Sequence, residues 1–306
     1  MNYLVLTNDG IGSSYLQRSL TLYLNSAGIE YWNTHELLNG VACNNGNIYK
    51  QWRDNNFELQ PVNEIITCLN ESTNNIVSRV GLHWAHERND ISTLYPILRS
   101  KYNKILMCKR DPFEYALSWA IRSSEGIGNL YRVDKKRSLS LNYDVDMDFF
   151  KTKLEEYHKY IYWTMDNFNA QEVNYNDLQI NIDNMMQKIT GLDHSVEDKF
   201  GISLQNYSRV RYLASTGVYE KEHTQSAVAL KNFENRLKVN KQLPKGMPIK
   251  LYTLDDKRKR IDNFTECVNV FNNWAAGKNE YDTITSTILE ERIYNENKIY
   301  ARTSHT

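Results

Sequence analysis

The sequence predicts an α/β fold: three layers, a mostly parallel sheet with helices on both faces, and a helical C-terminal extension. Three observations predict it. Short apolar runs recur at Tyr3–Thr7, Ile76–Val80 and Lys104–Lys109. Stretches with helical periodicity separate them. Glycine or proline marks the junctions, at Gly10, Gly12, Gly28 and Pro112. Strands alternating with helices imply βαβ units and a parallel sheet.

Tyr3–Thr7 has the length and composition of a buried strand, and Asp9–Gly12 reads as a glycine loop. Over Ser13–Ser26, Leu16, Leu20, Tyr23 and Leu24 share a helical face, and Gly28 supplies the stop. Ile29–Trp32 reads as a second strand. Pro61–Asn70 reads as a helix with Val62, Ile65, Ile66 and Leu69 in register. Ile76–Val80 reads as a strand and Ile91–Arg99 as a helix. Lys104–Lys109 is the next strand, and Pro112 suits the first turn of the helix after it. Asp146–Phe168 follows as a long amphipathic helix with Phe150, Leu154, Tyr157, Ile161, Met165 and Phe168 as its core stripe. Gln171–Tyr175 reads as a strand, and Leu178–Ile189 as a helix ending at Gly191. Residues 1–200 are expected to form the α/β core. Residues 201–306 form a mainly helical part, with helices over Lys257–Ala276 and Thr283–Tyr300, packed on or extending that core.

The 306 residues carry 37 Lys+Arg and 37 Asp+Glu, for a net charge of zero. That balance argues against a general nucleic-acid binder. The basic runs Lys135-Lys136-Arg137 and Lys257-Arg258-Lys259-Arg260 read as solvated faces. The four cysteines, Cys43, Cys68, Cys108 and Cys267, form no C-x-x-C pair and suggest no metal site. A reducing, cytoplasmic setting is expected, with Cys108 a buried thiol. No stretch approaches the roughly 18 apolar residues of a membrane span.

Two anion corners stand out. The first strand runs into Gly10-Ile11-Gly12-Ser13-Ser14. Glycines let backbone amides approach an anion, and the following helix adds its positive end. The plain alternative is a tight turn with a helix cap. The loop lacks the lysine of a Walker A motif, so kinase-type phosphoryl transfer loses its usual clamp. The second corner is Arg110-Asp111-Pro112 at the end of Lys104–Lys109, with Ser118 eight positions after Arg110. An arginine and a hydroxyl there suit a doubly charged phosphate. The plain alternative for Arg110 is a salt bridge to Asp111 or Glu114.

Together these residues resemble the PAPS-dependent sulfotransferase family, whose fold is P-loop-like. Gly12-Ser13-Ser14 is similar to the second half of the family's 5′-phosphosulfate loop. Arg110-Asp111-Pro112 with Ser118 is similar to its 3′-phosphate motif. Tyr175-Asn176-Asp177-Leu178 is similar to a later strand end. The resemblance covers residues 3–192. It implies a sulfotransferase that moves a sulfuryl group from PAPS to a hydroxyl or amine, without a metal. It implies Gly10, Gly12, Ser13, Ser14, Arg18, Arg110 and Ser118 as binding residues. Gly10 stands where the family has a basic residue; Arg18, one turn into the helix, is either the substitute or a surface residue. The base is Glu36, after the second strand, or His83, after Ile76–Val80. Each has a plain reading too, a surface carboxylate or an ordinary imidazole. The acceptor is a small molecule, a glycan or a peptide. The rival readings are a catalytically inactive relative that binds a partner, and a small-molecule kinase.

Overall fold

The computed structural model describes residues 1–8, 10–29, 31–39, 61–71, 75–82, 91–124, 142–196, 204 and 257–278. Five strands among them form one sheet: β1 (Tyr3–Thr7), β2 (Trp32–Glu36), β3 (Ile76–Gly81), β4 (Lys104–Lys109) and β5 (Gln171–Asn174). The order is β2-β3-β1-β4-β5, and every neighbouring pair is parallel. All five residues of the central β1 are buried. A strand covered on both faces needs apolar residues throughout, which is why YLVLT runs unbroken rather than alternating.

The helices are α1 (Ser13–Ser26), α2 (Val62–Glu71), α3 (Leu94–Lys101), α4 (Pro112–Ser124), α5 (Met147–Asn167), α6 (Tyr175–Ile180), α7 (Ile182–Thr190) and α8 (Phe264–Ala276). The chain leaves β1 for the β2 edge, then returns through β3 to β4 and β5. With right-handed crossovers, that reversal puts α1 on one face and α2 and α3 on the other. The packing agrees: α1 lies against α7, and α2 against α3. The strand order switches direction between β1 and β4, whose carboxyl ends are Thr7 and Lys109. Ligands of open α/β sheets bind outside such a point.

Two compact units emerge. One comprises Met1–Lys109 and Tyr162–Gly246, the other Arg110–Ile161 and Met247–Thr306. Each is discontinuous in sequence. The first holds the sheet. In the second, Phe113 of α4 packs edge-on against Phe150 of α5, ring centroids 5.9 Å apart, and against Phe271 of α8 at 5.3 Å. Tyr143 and Ile261 add a parallel bridge there.

β1, β4 and α1 have the boundaries expected from the sequence. β2 does not: it begins at Trp32, three residues later than expected. The Asn25 side chain explains the shift. Its Oδ1 accepts from the Tyr31 amide at 2.9 Å and its Nδ2 donates to the Tyr31 carbonyl at 3.3 Å. Tyr31 therefore takes its backbone bonds from a side chain and not from the ladder. The stripe on α5 also differs. Met165 is 56 % exposed and Thr164 fully buried. Counting 150, 154, 157, 161, 164 and 168 keeps the four-three alternation of a helical seam, and position 165 falls outside it. The single helix expected over Leu178–Ile189 is two, because Asn181 leaves helical geometry and caps α7 by accepting the Asn184 amide at 3.1 Å. Of Lys257–Ala276, the C-terminal portion is α8; Thr283–Tyr300 lies outside the described residues. Cys108 and Cys267 are buried thiols, as expected for Cys108. Cys68 on α2 is disulfide-bonded, a feature the expectation of a reducing setting did not anticipate. No helix among the described residues is long and apolar enough to cross a membrane.

Candidate functional site

The first unit carries the glycine loop. Gly10 and Gly12 have φ of 83° and 85°, the left-handed region that glycine adopts without strain. Gly12 is also the N-cap of α1, with no side-chain cap bond and no acidic residue in the first turn. The positive end of α1 is thus left without a carboxylate of its own. Gly12 is needed for a second reason. A Cβ there would lie 2.2 Å from the Tyr175 ring, at the start of α6. Tyr175, whose place in the Tyr-Asn-Asp-Leu run was read from the sequence, covers the loop by direct packing. Ser13 is nearly buried and Ser14 half-buried. Arg18 is 8 % exposed, which rules out a surface role.

Glu36 departs most from the sequence reading. It ends β2 rather than lying in a loop beyond it, and a register shift between Asn33 and Glu36 sets it opposite Arg79 of β3. Arg79 Nε donates to Glu36 Oε2 at 3.0 Å, and the Gly81 amide donates to Glu36 Oε1 at 2.6 Å. Both carboxylate oxygens are therefore engaged, and the residue is 6 % exposed, not a surface carboxylate. Burial pushes the Glu36 carboxyl above its ordinary range, against the opposing pull of Arg79 and of the Gly81 and Leu38 amides. The same guanidinium reaches the loop: Arg79 Nη1 donates to Ser14 Oγ. His83 lies outside the described residues.

The second unit carries Arg110. Its backbone is held by one side chain, since its amide donates to the Tyr157 hydroxyl at 2.9 Å and that hydroxyl donates to its carbonyl at 2.5 Å. Asp111 Oδ1 accepts the Glu114 amide at 3.0 Å, so Asp111-Pro112-Phe113-Glu114 opens α4 with a cap at Asp111 and proline in the first position. The Arg110 side chain donates from Nη2 to Glu114 Oε2 at 3.2 Å, with both side chains nearly buried. The salt bridge weighed from the sequence as the plain reading of Arg110 is therefore formed. Ser118 lies one turn beyond Glu114 on the same face. There it receives Lys257 Nζ at 3.0 Å in a buried bond. Two cations and a hydroxyl gather along this face of α4, with one carboxylate between them.

Lys257 is the residue the sequence concealed. It heads a run of four basic residues, which reads as a solvated face, yet it is only 4 % exposed. Lys109, next to Arg110 in sequence, turns instead to Glu172 of β5 at 3.1 Å. Arg79 carried only a faint signal, as a basic residue inside an apolar strand. Among the described residues no cluster of three or more metal-ligating side chains occurs. No protein-family model and no curated protein matches the chain.

Proposed function

We propose that this protein is a sulfotransferase that moves a sulfuryl group from PAPS to a hydroxyl or amine acceptor. The observation that carries the reading is the face of α4 where Arg110, Ser118 and Lys257 present two cations and a hydroxyl. A 3′-phosphate dianion is the ligand such a set suits, through charge-assisted bonds. The 5′-phosphosulfate is assigned to the loop of Gly10, Gly12, Ser13 and Ser14, with its uncapped helix end. In the reaction the acceptor oxygen or nitrogen forms a bond to sulfur, and the bond from sulfur to the 5′-phosphate oxygen breaks. The acceptor proton passes to Glu36 or His83, and adenosine 3′,5′-bisphosphate leaves. Glu36 serves as base only after exchanging its bond to Arg79 or Gly81.

A second reading, an inactive relative that binds a glycan, peptide or protein, is favoured by the Arg110–Glu114 pair. That pair satisfies Arg110 without a nucleotide. One assay separates the two. Adenosine 3′,5′-bisphosphate at millimolar concentration should raise the melting temperature of the sulfotransferase, and Arg110→Ala should abolish the rise. Because Ala would leave the buried Glu114 without its arginine, the double variant R110Q/E114Q provides the same test with a neutral pair. No shift in the unsubstituted protein would overturn the proposal.

A further inference from the structure

The loop Gly10–Ser14 contains no basic residue, although a group there is proposed to hold a 5′-phosphosulfate. The tertiary structure brings one from β3. We propose that Arg79 supplies the positive charge of this loop, and that Glu36 acts as its positioning residue rather than as the base. The inference rests on the sulfotransferase reading for its ligand, the 5′-phosphate of the nucleotide.

Three observations converge. First, Arg79 contacts the loop: its Nη1 donates to Ser14 Oγ, in the first turn of α1. Second, the contact does not answer a local acid, because the first turn of α1 has none. A cation at the positive end of a helix is electrostatically unfavourable, a cost that Glu36 offsets and that a bound anion would offset further. Third, the guanidinium is aimed by a fixed partner. Glu36 takes Nε with one oxygen while Gly81 holds the other, and Nη1 of the same planar group reaches Ser14. A guanidinium has five N–H donors in a rigid fork, and one carboxylate and one hydroxyl commit only part of that set.

The test compares two probes, adenosine 3′,5′-bisphosphate and adenosine 3′-monophosphate, by titration calorimetry. They differ only in the 5′-phosphate, so their affinity ratio reports on this loop alone. The unsubstituted protein should prefer the bisphosphate. Arg79→Gln should cost the bisphosphate roughly 10- to 100-fold, the range of a charge-assisted bond, and leave the monophosphate nearly unchanged. Glu36→Gln should lower the same ratio by a smaller factor, with Glu36→Asp restoring part of it. A merely structural carboxylate would weaken both probes alike. Should Arg79→Gln fold poorly, the double variant R79Q/E36Q removes the buried lone carboxylate and should show the same loss. If the unsubstituted protein prefers the bisphosphate and the variants keep that preference, Arg79 is structural and this inference fails while the sulfotransferase reading stands. If neither probe binds the unsubstituted protein, both fall.

Discussion

Gly12 offers a controlled measurement of what holds the loop together. Gly12 and Gly28 have nearly the same backbone, with φ of 85° and 86°, but different surroundings. At Gly28 an added Cβ meets nothing within 4 Å; at Gly12 it would lie 2.2 Å from the Tyr175 ring. Gly28→Ala therefore measures the conformational cost alone, about 1–2 kcal/mol for a left-handed alanine. Gly12→Ala carries the same cost and must also displace Tyr175. That ring belongs to a side chain only 8 % exposed, and uncovering an aromatic of this size forfeits about 1.5–3 kcal/mol. The expected loss at Gly12 is thus about 3–5 kcal/mol, two to three times that at Gly28. Urea denaturation followed by circular dichroism reads both. In a Tyr175→Ala background, Gly12→Ala should fall back to the Gly28 value, since the obstacle is gone. Equal losses at Gly12 and Gly28 in the unsubstituted background would refute the reasoning. They would mean that the ring yields at negligible cost and does not fix the loop.

Two further outcomes test the site and its surroundings. Lys257→Met keeps a long buried side chain but removes the donor to the Ser118 hydroxyl, so unfolding free energy should fall by about 1–3 kcal/mol while the fold survives. Bisphosphate affinity should also fall about tenfold, as read by calorimetry; loss of stability with unchanged binding would assign Lys257 to structure alone. The Cys108 and Cys267 thiols are both pushed up to about 12, chiefly by burial. A folded-state value above the unfolded one means that their contribution to stability is complete below about pH 8.5 and is lost as pH rises from there toward 12. At pH 8 the native protein should therefore show negligible alkylation at these two positions by mass spectrometry, and rapid alkylation in urea. Prompt modification of either in native buffer would contradict its burial.

Much of the architecture was legible because it is local. β1 and β4 announced themselves as short apolar runs, and α1 by its apolar face between Gly12 and Gly28. The start of α4 followed from Pro112. The misplacements have equally local causes that composition does not reveal. Asn25 withholds the Tyr31 backbone from the ladder, and Asn181 ends one helix to cap the next. On α5 the two readings of the stripe differ by one residue, and packing chose Thr164 over Met165.

The sequence by itself determined which residues could share an element: Glu114 and Ser118 along one helix face, glycines where the chain turns from β1 into α1. Spacing within a helix or strand is fixed by its repeat, so those relations needed no fold. Only the tertiary structure decided the partners. Glu36 meets Arg79 across 43 positions, and Ser118 meets Lys257 across 139. Such contacts depend on strand register and on two distant segments closing one core, and no local pattern encodes either. That is why the loop's missing cation looked like a defect in the sequence, while the fold places a guanidinium against Ser14 from a neighbouring strand.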